Sequence, residues 1–125
     1  MDDREPSGGR ATIVALTAQP DQTPSPLIFF DRRELDQILR VYGRMVAAGE
    51  WRDYAMDQRP DEAVFSVYRR SSETPLYRIV KQPKLARKQG AYAVIAPTGH
   101  ILKRGHELAN VLRILEPKRL RLVQG

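Results

Sequence analysis

The sequence predicts an α+β fold: an antiparallel sheet of four to six strands, one main amphipathic helix at about 32–48 and a shorter second helix at about 106–115. Three observations predict it. One segment repeats its apolar residues at the 3.6-residue helical period, directly after a capping signal. Residues 51–104 fall into short β-branched and aromatic runs separated by Gly, Pro and Ser turns, the pattern of hairpin-linked strands. A chain of 125 residues suits one domain with a core that needs no staples.

Residues 1–26 hold four of the nine prolines together with Gly8 and Gly9. Such a stretch buries too little surface to offset its ordering entropy, so a disordered tail is expected there and a single domain over 27–125. Within the tail, "ATIVALTA" (Ala11–Ala18) is uncharged and β-prone, a composition that suits addition to a sheet edge. The simpler expectation is a tail that happens to contain apolar residues.

"LIFF" (Leu27–Phe30) reads as a short buried strand or an apolar lead-in. Asp31 and Glu34 form a capping-box pair, and Leu35, Ile38, Leu39, Tyr42, Met45 and Val46 follow on one helical face. Gly49 suits the left-handed stop, and mid-helix Gly43 suggests a close backbone approach. Arg33, Arg40 and Arg44 occupy the opposite face, with Asp36 four residues before Arg40; that is the pattern of a solvated face. "EWRDYAMDQ", "EAVFSVYRR", "LYRIVKQ", "AYAVIA" and "HILKR" read as strands, the last two joined by a "PTG" hairpin that puts Gly99 at positive φ. Leu108, Val111, Leu112 and Leu115 share a second helical face that Pro117 ends, and "KRLRLV" alternates like a last edge strand. "AVFSVY" and "AYAVIA" are apolar on both faces, so both sheet faces should be covered, each by one helix or one of them by a second subunit.

Composition narrows the chemistry. No cysteine is present, which excludes disulfides, thiolate metal sites and a cysteine nucleophile, and fits a reducing compartment. The N-terminus lacks a signal-peptide pattern and no apolar run spans a bilayer, so a cytoplasmic protein without a membrane partner is expected. His100 and His106 are the only histidines. Their spacing of six does not match a helical zinc pair and no further ligands lie near, so no metal and no cofactor is expected.

Charge is the informative feature. Residues 1–68 carry 8 Lys/Arg and 12 Asp/Glu, whereas residues 69–125 carry 13 and 3, or −4 against +10. Such asymmetry points to an anionic partner. The candidate nucleic-acid-binding residues are Arg69, Arg70, Arg78, Lys81, Lys84, Arg87, Lys88, Lys103 and Arg104, with Lys118, Arg119 and Arg121 adding charge further on. "KQPKLARKQG" is the densest stretch, and Tyr68, Tyr77 and Tyr92 lie beside it where bases could stack.

The runs "FFDRRELDQILRVYGRMVAAGEWRDYAMD" and "VYRRSSETPLYRIVKQPKLARKQGAYAVIAPTGHILKRGHEL" resemble a family of small alphaproteobacterial proteins with a domain of unknown function, over about Leu27–Val123. The resemblance implies a bacterial, cytoplasmic, single-domain protein. It carries over no catalytic residue, cofactor or partner. From the residues, the leading expectation is a non-enzymatic accessory protein that meets nucleic acid or the ribosome through its basic half. A protein–protein module or homodimer comes second, and a small enzyme using His100 or His106 third.

Overall fold

The structure is a computed structural model that describes residues 26–70 and 74–116. The expected tail up to Ser25, the Ala11–Ala18 segment, the stop at Pro117 and the "KRLRLV" strand lie outside the described residues. Helix α1 spans Arg32–Ala47 behind a complete capping box: the Glu34 amide donates to Asp31 Oδ1 (2.8 Å) and the Asp31 amide to Glu34 Oε1 (2.7 Å). These bonds satisfy two amides that a helix start otherwise leaves without partners. Gly49, at φ 78°, turns the chain out of the helix as its sequence position implies.

Five strands follow: β1 (Asp53–Gln58), β2 (Ala63–Tyr68), β3 (Tyr77–Lys81), β4 (Tyr92–Ile95) and β5 (Ile101–Gly105). Each pairs antiparallel with the next, so sheet order equals chain order. A single 3-10 turn, Pro83–Leu85, sits in the β3–β4 connection; helix α2 (Leu108–Leu112) and a further 3-10 turn (Arg113–Leu115) follow β5. The β4–β5 hairpin closes through Ala96 and His100, with Gly99 at φ 92°. A bulge between Val94 and Ile95 shifts the β4–β5 register. "LIFF" is irregular, with Leu27 and Phe29 exposed.

Pairing register sorts the side chains into two faces. Phe65, Ile79 and Val94 form one cross-strand row, and Val64, Val80 and Ala93 the adjacent row on the opposite face. Ile38, Val41 and Met45 of α1 join Leu108, Val111, Leu112 and Leu115 on the Phe65 face, in one core cluster with Trp51. Both helices therefore cover the same side, and the expectation of one helix per face does not hold. A five-residue α2 entering straight from β5 has too little chain to cross to the other side. Val64, Val80 and Ala93 form a separate cluster with Ile95.

The buried stripe of α1 is Glu34, Ile38, Val41 and Met45, a 4-3-4 spacing, while Leu39 and Val46 are exposed. The helix is rotated from its most hydrophobic orientation, and the buried Glu34 shows why below.

Two glycines carry opposite consequences. A Cβ on Gly43 would meet nothing within 4 Å, so the expected close approach at this position does not occur. Gly90, at φ 110°, lies against β5, where a Cβ would stand 2.2 Å from the Gly105 carbonyl carbon. Gly43→Ala should therefore stabilise by about 1 kcal/mol. Gly90→Ala should destabilise by more than about 3 kcal/mol. Urea unfolding of the two variants beside the parent checks both signs.

Candidate polyanion-binding surface

The β3–β4 connection leaves the sheet at Gln82 and returns at Ala91, and it carries Lys84, Arg87 and Lys88, all exposed. Its backbone closes on itself through Leu85 N–H to Gln82 O (2.9 Å), Gly90 N–H to Leu85 O (2.9 Å) and Gln82 N–H to Ala91 O (2.6 Å). Neighbouring side chains hold it from outside. Arg104 of β5 donates to the Gly90 carbonyl (3.0 Å) and to Gln82 Oε1 (2.9 Å), and Gln82 donates onward to Glu62 Oε1 (3.0 Å). His106 Nδ1 lies 3.0 Å from the Ala86 carbonyl. Among the described residues, none of the three exposed cations has an ion-pair partner. The result is a held backbone that presents exposed positive side chains, and holding the backbone in advance lowers the entropy lost on binding an anion.

The other sequence candidates divide into three groups. Lys81 projects onto the helix face and is spent internally: its Nζ donates to Glu34 Oε1 (2.7 Å) and to the Phe29 carbonyl (2.9 Å). Arg104 is likewise committed, as the strut of the loop. Arg69 and Arg70 are exposed at the far end of β2, about 17 Å of strand away from the end where the loop sits. There they join Arg52 around a 470 Å³ depression, and Arg69 approaches Glu50 at 3.9 Å. Arg78 lies on the face away from the helices and lines a hollow with Thr74 and Pro97. Lys103 stands beside Asn110 and Arg113 at the edge of the helix layer. The nine residues do not converge on one patch; Lys84, Arg87 and Lys88 share one loop, and among the described residues nothing internal holds them.

The tyrosines are also mostly committed elsewhere. Tyr77 packs against Trp51 within an aromatic group that includes Tyr42, Tyr54 and Phe65, where Tyr54 and Phe65 stack at 4.8 Å. Tyr92 donates its hydroxyl to Glu34 Oε2. Neither forms an open platform for bases.

One cationic feature escaped the sequence. Arg33, Arg40 and Arg44 of α1 face Arg113 across a groove of 610 Å³ between α1 and the α2 region, with Asp36 and Glu116 interspersed and Val41 and Leu112 in its floor. Arg44 and Glu116 approach at 4.0 Å. The spacing of Arg33, Arg40 and Arg44 signals a stripe, but only tertiary packing brings a second helix alongside to make it a groove. His100 sits exposed in the hairpin turn, and among the described residues no group of three His, Asp or Glu side chains comes together.

A family model described as a protein of unknown function, DUF2794, matches residues 28–112. The chain belongs to this family. Comparison with curated proteins and with solved structures gives no match. The DUF2794 match runs from the lead-in to α1 through the whole sheet to the end of α2, and so contains the β3–β4 loop, its Arg104 strut and the Glu34 network. Among the described residues of this DUF2794 chain, no helix is long and apolar enough to cross a membrane.

Glu34 and Lys81 are only 9% and 18% exposed at their side chains. Removing the carboxylate would strand a largely buried ammonium, so Glu34→Ala should cost about 3 kcal/mol. The Tyr92 phenol is pushed well above its ordinary value, first by burial and then by its bond to the Glu34 carboxylate. Above about pH 10 the unfolded chain releases this proton while the folded chain keeps it. Stability is therefore intact below that pH and falls as pH rises beyond it. Tyr92→Phe should reduce this alkaline loss, read as urea midpoints between pH 8 and 11.

Proposed function

We propose that this protein is a non-enzymatic accessory module of the cytoplasm whose β3–β4 loop grips a polyanion, with nucleic acid or the ribosome as partner. The observation that carries this reading is the combination of three exposed cations, Lys84, Arg87 and Lys88, unopposed among the described residues, with a loop backbone tied down by Arg104 and Gln82. Neutralising phosphates releases condensed counterions, so a few such cations supply affinity without reading sequence. Among the described residues the tyrosines near the loop are committed to internal contacts, which fits backbone contact rather than base recognition. Arg33, at the start of α1, belongs to the same end of the sheet, because Glu34 next to it bonds Lys81 and Tyr92. A long strand could thus run from the loop into the arginine groove.

A second reading rests on that groove. Its four arginines alternate with Asp36 and Glu116 over an apolar floor, which suits an acidic polypeptide segment better than a uniformly negative strand.

Fluorescence anisotropy with mixed-sequence single-stranded RNA and with duplex DNA, at low and near-physiological salt, tests the first reading. Each phosphate contact on a single strand contributes about 0.7 to the log–log salt slope, so the combined Lys84→Glu, Arg87→Glu, Lys88→Glu variant should lose about 2 from that slope together with most of its affinity. Equal binding by the variant would move the site away from the loop. No binding by the parent even at low salt would leave the groove and a protein partner.

A further inference from the structure

The sheet face away from both helices is apolar at its centre. Asp57, Val64, Val80, Ala93 and Arg104 form one row across the five strands, and Ala55, Ser66, Arg78, Ile95 and Ile101 form the next. Charges stand only at the margins of the first row, and the side chains between them are small and apolar. Val64 and Val80 are 2% exposed and Ala93 0%, although the helices pack on the other side. A sheet face left to water carries alternating polar residues instead.

We propose that residues Ala11–Ala18 of this same chain lie across this face and complete the domain. The path of the chain favours that occupant. The Ile28 amide donates to the Arg59 carbonyl (2.8 Å) in the turn joining β1 to β2, so the N-terminal chain arrives at a corner of the sheet. Glu116, where the described C-terminal part ends, instead lies beside Arg44 in the helix layer on the opposite side.

The lengths agree. Seven residues, Gln19–Ser25, separate the segment from the described chain and reach up to about 23 Å. Five strands at about 4.8 Å spacing are about 19 Å across, and eight extended residues span about 26 Å. The chemistry agrees too. "ATIVALTA" has no charge, and in an extended segment Val14 and Leu16 share one side while Ile13 falls on the other. Val14 and Leu16 can therefore cover the central valines and Ala93 without burying an ion, while outward backbone groups keep their water. A second copy of the chain is the less fitting occupant, because Val64, Val80, Ala93 and Ile95 make a patch well short of the roughly 800 Å² per partner of a stable interface.

The chain has no cysteine, so a nitroxide attached through Thr17→Cys, on the outward side of the segment, is unique. In the full-length protein with labelled methyl groups, the nitroxide should broaden Val64, Val80 and Ile95 while Val41 and Leu112 keep their intensity. The broadening should survive dilution into an excess of unlabelled protein. Adding Val14→Asp and Leu16→Asp to the spin-labelled chain should restore the signals without shifting the helix-layer methyls. Broadening that appears only between chains in a mixed sample would assign the face to a second copy and overturn the proposal. So would full intensity at all three methyls in the labelled chain.

Discussion

The structure turns on the carboxylate of Glu34. It receives the Asp31 amide, the Lys81 ammonium and the Tyr92 hydroxyl, and so ties the first turn of α1 to the ends of β3 and β4. A buried carboxylate is tolerated only when its oxygens are paired. That requirement fixes how α1 is rotated and how far it slides along the sheet. Once Glu34 points inward, Ile38, Val41 and Met45 must follow it at helical spacing, and Leu39 and Val46 are left outside. A polar constraint thereby overrides the orientation that hydrophobicity alone favours.

The same rotation places the cations. Arg33, Arg40 and Arg44 end up exposed along the seam with α2, and Lys81 is drawn into the core network. On the other side of the sheet end, Arg104 does for the β3–β4 loop what Lys81 does for the helix: it uses a positive charge to bind backbone and side-chain oxygens across strands. Charge in this half of the chain thus has two jobs. Part of it holds the fold together, and part of it, at Lys84, Arg87 and Lys88, is displayed on the surface that the held loop creates. A linear charge count cannot separate these, since both kinds of residue occur within the same ten positions.

Local rules were legible because they act over a few residues. The capping box, the stop at Gly49, the hairpin at Gly99 and the β-branched runs each reflect conformational preferences of neighbouring residues, and the structure has each where the sequence implies it. Gly43 and Gly90 mark the limit of such reasoning. The two glycines look alike in sequence. Only the distance from Gly90 to Gly105 on another strand makes one of them irreplaceable, and open space around the other makes it dispensable.

What the sequence determined by itself was therefore the identity and order of the elements, an antiparallel sheet, and the excess of positive charge from residue 69 onward. Tertiary structure alone decided that both helices share one face, that Lys81 and Arg104 are internal ties, that Arg113 meets the α1 arginines, and that three lysine and arginine side chains remain together on a fixed loop. The physical reason is range. Dihedral preference and periodicity are properties of adjacent residues, whereas the fate of a charge depends on which oxygens the folded chain brings within about 3 Å of it, and those come from residues far along the sequence.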